Sequence, residues 1–416
     1  MKILLINNNH YRKGGDSTVY LNMGRILSEN GHEVSYLSMQ NPLNEPCETS
    51  GFFIKNPQLN NKGTIYQLLN FWKYIYSRES LSQFKRLIKH KRPDIIHLHS
   101  IRGGITSPII LEAKRLSIPI IQTVHDYHYL CPINTMVDGN MKVCNKCANG
   151  NYWFCTLKKC EQNKAHYSLI QSMGAFYESR IVKLISNLEY LIFVSNFSKN
   201  LYCERFPEIE NKCSTIYNFS VRRKITSNTS YANCYESYYL YFGRINQIKG
   251  IFTLVEAFKQ IPSKKLIIIG DGPDRDRLEN FVNSNGINNI SLIRHKTWDE
   301  LKPYIENSKF TILPSEWYEN NPMSIIESYQ FGKPVIGSNI GGIPEILSDN
   351  ITGYLFESGD IGGLVNVLNK ANDLTKAEYC NMCEESQKQS DAMFNQSIFY
   401  DKIMKVYKQF VHENAF

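Results

Sequence analysis

The chain has 416 residues and a formal net charge of +8, with 42% hydrophobic and 21% charged residues. At about 150 residues per domain this length predicts two domains or three, and the composition excludes a disordered, collagen-like or coiled-coil protein. No apolar run approaches the roughly 18 to 20 residues of a membrane-spanning helix. The charge is lopsided: residues 1–220 hold 26 Lys and Arg against 16 Asp and Glu, a balance of +10, and the remainder hold 21 against 23, or −2. A basic half points to an anionic partner, whether nucleic acid, a phosphorylated ligand or an acidic membrane face.

In chain order, Lys2 to Asn7 reads as a first β-strand. Its apolar run is shorter than the roughly 7 to 15 residues of a signal-peptide core, so a cytoplasmic protein is expected. A polar loop with Gly14-Gly15 follows. Asp16 or Ser17 is expected to cap the next helix, in which Val19, Met23, Ile26 and Leu27 recur at helical spacing. That helix stops at Asn30-Gly31, and Val34 to Leu37, Asp94 to His99 and Pro119 to Val124 read as further strands. Strand–helix alternation of this kind predicts a doubly wound parallel sheet. Between the strands, residues 68–92 mix Phe71, Trp72, Phe84 and Leu87 with many Lys and Arg. They suit a helix packed on the sheet, or one lying on an anionic membrane surface.

Residues 221–236 are polar and nearly devoid of apolar spacing, which marks a linker. A second alternating series begins at Tyr238 to Phe242 and continues through Lys265 to Ile269, Ile290 to Ile293, Phe310 to Leu313 and Pro334 to Ile336. An amphipathic helix from about Ser397 ends the chain. The predicted organisation is a first domain over 1–220, the linker, a second domain over 237–396, and a terminal helix over 397–416 that returns to the first domain. Two Rossmann-like domains then face a cleft, and ligands bind at the carboxyl ends of their strands.

Four strand-end segments carry candidate chemistry. Glu319 and Glu327 flank a predicted helix start at Pro322, with Asn320 or Asn321 as its cap. The free N–H groups there can take an anion, and two carboxylates beside them can hold sugar or ribose hydroxyls. An isolated Glu is more often simply solvated. Arg244 and Lys249, five apart on a strand-to-helix loop, can reach one diphosphate, Arg as a fork and Lys as a point charge. Gly14-Gly15 permits close approach of backbone to a phosphate, or is a plain turn. Gly270-Asp271-Gly272 fails the dinucleotide fingerprint at its third glycine, where Arg275 stands, and reads as a tight turn. His125-Asp126 ends a strand, where a His can hydrogen-bond a reacting sugar or serve structure alone.

Eleven cysteines suit thiols or metal ligands in a cytoplasmic protein. Five crowd into 131–160, where Cys144-x-x-Cys147 and Cys155-x4-Cys160 have zinc-like spacing, with Cys131 or His128 as spare ligands. A structural zinc and a set of reduced thiols both fit.

Taken together, these segments resemble one family: the GT-B glycosyltransferases of the large retaining group called family 4 or group 1. The resemblance runs nearly end to end. It rests on Gly31-His32-Glu33-Val34, Pro93-Asp94-Ile95-Ile96-His97, His125-Asp126, Gly243-Arg244 with Lys249-Gly250, Gly270-Asp271-Gly272-Pro273, Glu319 with Glu327, and Gly341-Gly342-Ile343-Pro344-Glu345. It implies a nucleotide-sugar donor on the second domain, a UDP-sugar favoured over a GDP-sugar, and no required cofactor or catalytic metal. Arg244 and Lys249 would hold the diphosphate and Glu327 the ribose. Glu319 would hold the donor sugar, with backbone amides near Pro322, Met323 and Ser324. Gly14 and Gly15 would approach the donor phosphate, and His125 would touch the transferred sugar. The implied acceptor is a glycan or lipid-linked sugar of a cell-surface polysaccharide, which suits a protein peripheral on the inner face of the plasma membrane. A sugar phosphorylase or nucleotide-sugar epimerase is the alternative on the same fold. Nucleic acid is not an expected partner, because basic patches flanked by aromatics are not evident.

Overall fold

The computed structural model of the chain describes residues 1–56, 72–221 and 231–411. Residues 222–230 of the expected linker and 68–71 of the basic segment lie outside the described residues. The chain divides into two compact units. The first comprises Met1–Asn140, Cys144–Tyr217 and the stretch that opens at Ser397; the second comprises Met141–Val143 and Asn218–Gln396.

The first unit is built on six parallel strands: β1 (Lys2–Ile6), β2 (Glu33–Leu37), β3 (Ile95–Leu98), β4 (Ile120–Val124), β5 (Tyr190–Phe193) and β6 (Cys213–Thr215). Their order across the sheet is β2-β1-β3-β4-β5-β6. Ile3 to Ile6 are wholly buried, as a parallel strand covered on both faces requires. The first helix, α1 (Gly15–Glu29), begins two residues earlier than a cap at Asp16 would place it. Gly14 is the residue before it, and the Ser17 hydroxyl accepts from Lys13 N and Gly14 N at 3.0 Å rather than capping as the first residue.

The basic segment is not one helix. Trp72–Ile75 is a single turn, and a second helix, α2 (Arg78–Lys91), starts afresh with the Ser77 hydroxyl accepting from Ser80 N. Phe84, Leu87 and Ile88 are buried in the unit, so those apolar side chains are already used by the core. Lys85 pairs with Glu112, and Lys91 with Glu33 and Glu48. The terminal helix, Gln396–Tyr407, packs on this unit through buried Ile403 and Tyr407, and His97 Nδ1 lies 2.7 Å from the Tyr407 hydroxyl.

The second unit repeats the design with β7 (Tyr239–Phe242), β8 (Leu266–Ile269), β9 (Ile290–Ile293), β10 (Phe310–Leu313), β11 (Val335–Ser338) and β12 (Gly353–Phe356). All are parallel, in the order β12-β11-β10-β7-β8-β9. Alternate residues of β7 enter different cores: Tyr239 and Tyr241 join one cluster with Leu266 and Ile268, while Leu240 and Phe242 join another with Ile269 and Ile305. Helices α3 (Ile251–Gln260) and α4 (Met323–Gln330) follow β7 and β10, and α5 (Gln396–Tyr407) ends the described fold. The chain winds outward through β8 and β9 and returns to place β10 on the other side of β7. The loops after β7 and β10 therefore diverge at a topological switch point, where such sheets bind ligands. Among the described residues, no helix is long and apolar enough to cross a membrane.

Candidate active site

In the second unit the loop from Gly243 to Gly250 runs from β7 into α3, and the loop from Pro314 to Pro322 runs from β10 into α4. The two loops lock together. Glu316 N donates to Ile248 O at 2.8 Å, and the Thr253 hydroxyl to Glu316 Oε1 at 2.5 Å. Gly250 adopts a left-handed φ of +69°, and a Cβ there would strike the Pro314 carbonyl. Only glycine allows both the turn and that approach.

This docking brings together two residues 70 positions apart. Lys249 Nζ lies 2.6 Å from Glu319 Oε1. The same carboxylate oxygen accepts from the Ser315 hydroxyl at 2.6 Å and from Trp317 Nε1 at 2.8 Å. Glu319 is only 5% exposed. A buried carboxylate is costly unless it is paired and hydrogen-bonded, and this one is both. Lys249 also sits over the Trp317 ring, 4.8 Å from its centre. Neither Ser315 nor Trp317 was picked out by spacing, since short polar side chains on a loop carry no signal until the fold aims them.

Behind Glu319, Gly342 N donates to its carbonyl at 2.6 Å, and a Cβ on Gly341 would hit its backbone. The Gly-Gly of the loop after β11 thus supports the carboxylate's main chain. Gly270-Asp271-Gly272 plays the matching part for the other loop. A Cβ on Gly270 would strike the Gly243 carbonyl, and one on Gly272 the Ile245 carbonyl. Ile245 N donates to Asp271 O at 3.0 Å, and Gln247 N to Asp274 Oδ2 at 2.8 Å. The acidic Asp274 is thereby a loop anchor.

Arg244 is exposed on this loop and half-buried Glu327 sits on α4. The start of α4 differs from its sequence reading: Pro322 takes the cap position itself, in extended backbone, and the helix begins at Met323. Asn321 is turned elsewhere, its Oδ1 accepting from Asn218 N at 2.7 Å. Proline lacks the donor that the cap position does not need, so the shift costs nothing. Met323 and Ser324 present the first free amides of α4.

The strand ends of the first unit carry different chemistry. His97, His99 and His125 form a stack, with ring centres 4.8 and 5.1 Å apart. His125 Nε2 lies 2.9 Å from His99 Nδ1, and His97 Nε2 lies 2.7 Å from the Thr123 hydroxyl. Burial drives all three toward the neutral form. His97 falls to about 3, with His125 adding to the effect, and His99 lies well below its ordinary value. His125 is lowered by burial, against the opposing pull of Asp16 and Asp126. Gly14 and Gly15 stand exposed at the head of α1.

Comparison with known proteins agrees with this architecture. The model for glycosyl transferases group 1 matches residues 230–390, and that for Glycosyltransferase Family 4 matches residues 13–219. This chain belongs to the family 4 glycosyltransferases and has their GT-B fold. An uncharacterised glycosyltransferase of Methanocaldococcus jannaschii is 28% identical over 277 residues, 66% of this chain and 64% of that protein. An uncharacterised protein of the Klebsiella pneumoniae cps region is 21% identical, across 98% of this chain and 100% of its own length. The structure of Anabaena HepE in complex with UDP and glucose superposes with a TM-score of 0.69 at 14% identity, covering 98% of this chain and 100% of that one.

Proposed function

We propose that this chain is a retaining glycosyltransferase that moves a sugar from a nucleoside diphosphate donor, UDP favoured over GDP, to a glycan or lipid-linked acceptor. The observation that carries the reading is the Lys249–Glu319 pair, held at the sheet's switch point beside the first turn of α4. Arg244 and Lys249 take the diphosphate. Glu327 takes the ribose. Glu319, with the amides at Met323 and Ser324, takes the hydroxyls of the transferred sugar. On the first unit, His125 offers the sugar an uncharged hydrogen-bonding group, and Gly14-Gly15 offers backbone amides to phosphate.

In the reaction the bond from the anomeric carbon to the donor phosphate breaks. The acceptor oxygen bonds that carbon on the same face, and its proton leaves on the departing diphosphate. Stabilising that diphosphate is the main catalytic task, and the two cations supply it. Neither glutamate acts as a base, so the paired-carboxylate logic of retaining glycosidases does not apply. The full-length likeness to a protein of a cps region supports a surface-polysaccharide acceptor, and a reaction on the cytoplasmic face of the plasma membrane is part of the same proposal. HepE, with its bound UDP, supports the uridine donor.

Thermal unfolding in UDP, GDP and ADP tests the reading, each against Arg244→Ala. Ligand at about 100 times its Kd adds ~2.7 kcal/mol. Stabilisation of the wild type by UDP, lost in the variant, is the expected result. No response to any diphosphate sinks the donor site, and product formed without an acceptor turns the assignment toward an epimerase.

A further inference from the structure

The segment from Cys131 to Cys160 has little regular structure of its own. It contains one short helix, Trp153–Leu157, and takes left-handed backbone at Asn134, Met136, Met141 and Lys159. Cys147, Tyr152, Cys155 and Ala175 are buried together, with Ile133, Phe154 and Cys160 partly buried against them, and Cys131, Met136 and Val137 are buried as well. A segment with so little regular structure is one that a covalent or metal staple can hold.

The cysteines converge where such a staple would sit. Cys131, Cys144, Cys147, Cys155 and Cys160 line one small cavity with Val137, Phe154 and Lys158. The cavity has ≈ 10 Å³ of room for a water-sized body, about one such sphere. Main-chain bonds hold the turns that present the thiols: Cys144 N donates to Met136 O at 2.7 Å, Gly150 N to Cys147 O at 2.9 Å, and Cys160 N to Cys155 O at 3.1 Å. His128, the other ligand that spacing allowed, is turned away, with its Nε2 2.8 Å from Glu178 Oε2.

We propose that this cavity is a structural zinc site, in which Cys144, Cys147, Cys155 and Cys160 bind one Zn²⁺ as thiolates. Four thiols release four protons to solvent as the ion enters, and the site gains a net charge of about −2. Lys158, on the cavity wall, is paired with buried Asp138 at 2.6 Å, and the pair places a cation beside the site without neutralising it. Cys131 completes the wall as a thiol. All eleven cysteines are free, and five in one cavity cannot be exhausted by disulfide pairs. Among the described residues, no group of three or more His, Cys, Asp or Glu is placed so that it could hold a metal ion as it stands. The four sulfurs therefore close by side-chain rotation, to about 2.3 Å from the metal.

The test uses the full chain, purified without chelator and gel-filtered. Plasma mass spectrometry is expected to find about one zinc per chain, released by a mercurial in step with thiol modification. Protein grown with cobalt in place of zinc should show the absorption bands of a tetrahedral cobalt thiolate, a readout that needs no variant to fold. Cys144→Ser combined with Cys147→Ser should lose the metal, and Cys380→Ser should keep it. Zinc below about a tenth of an equivalent, a disulfide among the five cysteines, or an iron chromophore in place of zinc overturns the proposal.

Discussion

Both sheets are six parallel strands, though in different orders, and their strand ends hold different electrostatics. At the second sheet a lysine and a buried glutamate form a close pair, and two further donors reach the same carboxylate oxygen in place of water. At the first sheet three histidines stack without a partnering carboxylate close enough to prevail, and burial keeps them neutral. One set of strand ends carries a lysine paired with a buried carboxylate, the other a stack of histidines that burial keeps neutral. The lesson is that a repeated fold supplies a place for a ligand, while the loops decide its charge.

The comparison breaks most readily at Lys249. Lys249→Ala should lower kcat/KM by about 10² to 10³, the cost of removing one group aimed at developing charge. Circular dichroism and stabilisation by UDP, measured on the same sample, separate lost binding from lost fold. A variant with near wild-type turnover removes the lysine from the mechanism.

Next in size is the loop contact that creates the charged site. Gly250→Ala forces a left-handed alanine against the Pro314 carbonyl and should cost roughly 2–3 kcal/mol. Gly286→Ala is its control, with a φ of +62° but nothing within 4 Å of the new Cβ. The control should lose only about 1 kcal/mol. Equal losses in urea melts would show that backbone strain, and not the loop docking, explains the glycine.

The neutral site is sharpened by pH. His97 is held at about 3 in the folded chain, against 6.5 when unfolded. Between those values the unfolded state binds the extra proton, so stability falls as pH drops from about 6.5 toward 3 and is level above. The slope from this group is about 1.4 kcal/mol per pH unit. His97→Gln should flatten the slope by that amount even though it lowers stability throughout. Urea unfolding from pH 7.5 to 5 measures both, and an unchanged slope refutes the neutral assignment.

The smallest effect lies beside the neutral site. Ser195, after β5, accepts from Ser198 N at 3.1 Å and caps the helix Asn196–Arg205. Ser195→Ala should cost about 1 kcal/mol and leave UDP stabilisation untouched. A change in nucleotide response would mean the two strand-end regions are energetically linked.

Much of this protein was legible as sequence, because the information was local. Continuous apolar runs such as Leu240 to Phe242 specify parallel strands buried on both faces. Glycines such as Gly250 and Gly341 mark loops whatever they later touch. The family follows from the order of those loops, and so do the residues Arg244, Lys249, Glu319 and Glu327 that the proposed function assigns. Helix starts were less legible: Gly14 and Pro322 head their helices where Asp16, Ser17 and Asn321 were expected. The basic segment was misread as one helix, because spacing does not register the break that Ser77 introduces.

Only the tertiary structure joined residues far apart in the chain. Lys249 meets Glu319 across 70 positions and His97 meets Tyr407 across 310. Ser315 and Trp317 acquire a role only once the loop aims them at one oxygen. The sequence alone determined the sheets, the strand-end loops and the charged residues they carry, since these follow from periodicity and turn chemistry. That the histidines of the first sheet become neutral, and that Glu319 finds its partners, was decided by burial and contacts that exist only after the chain has packed.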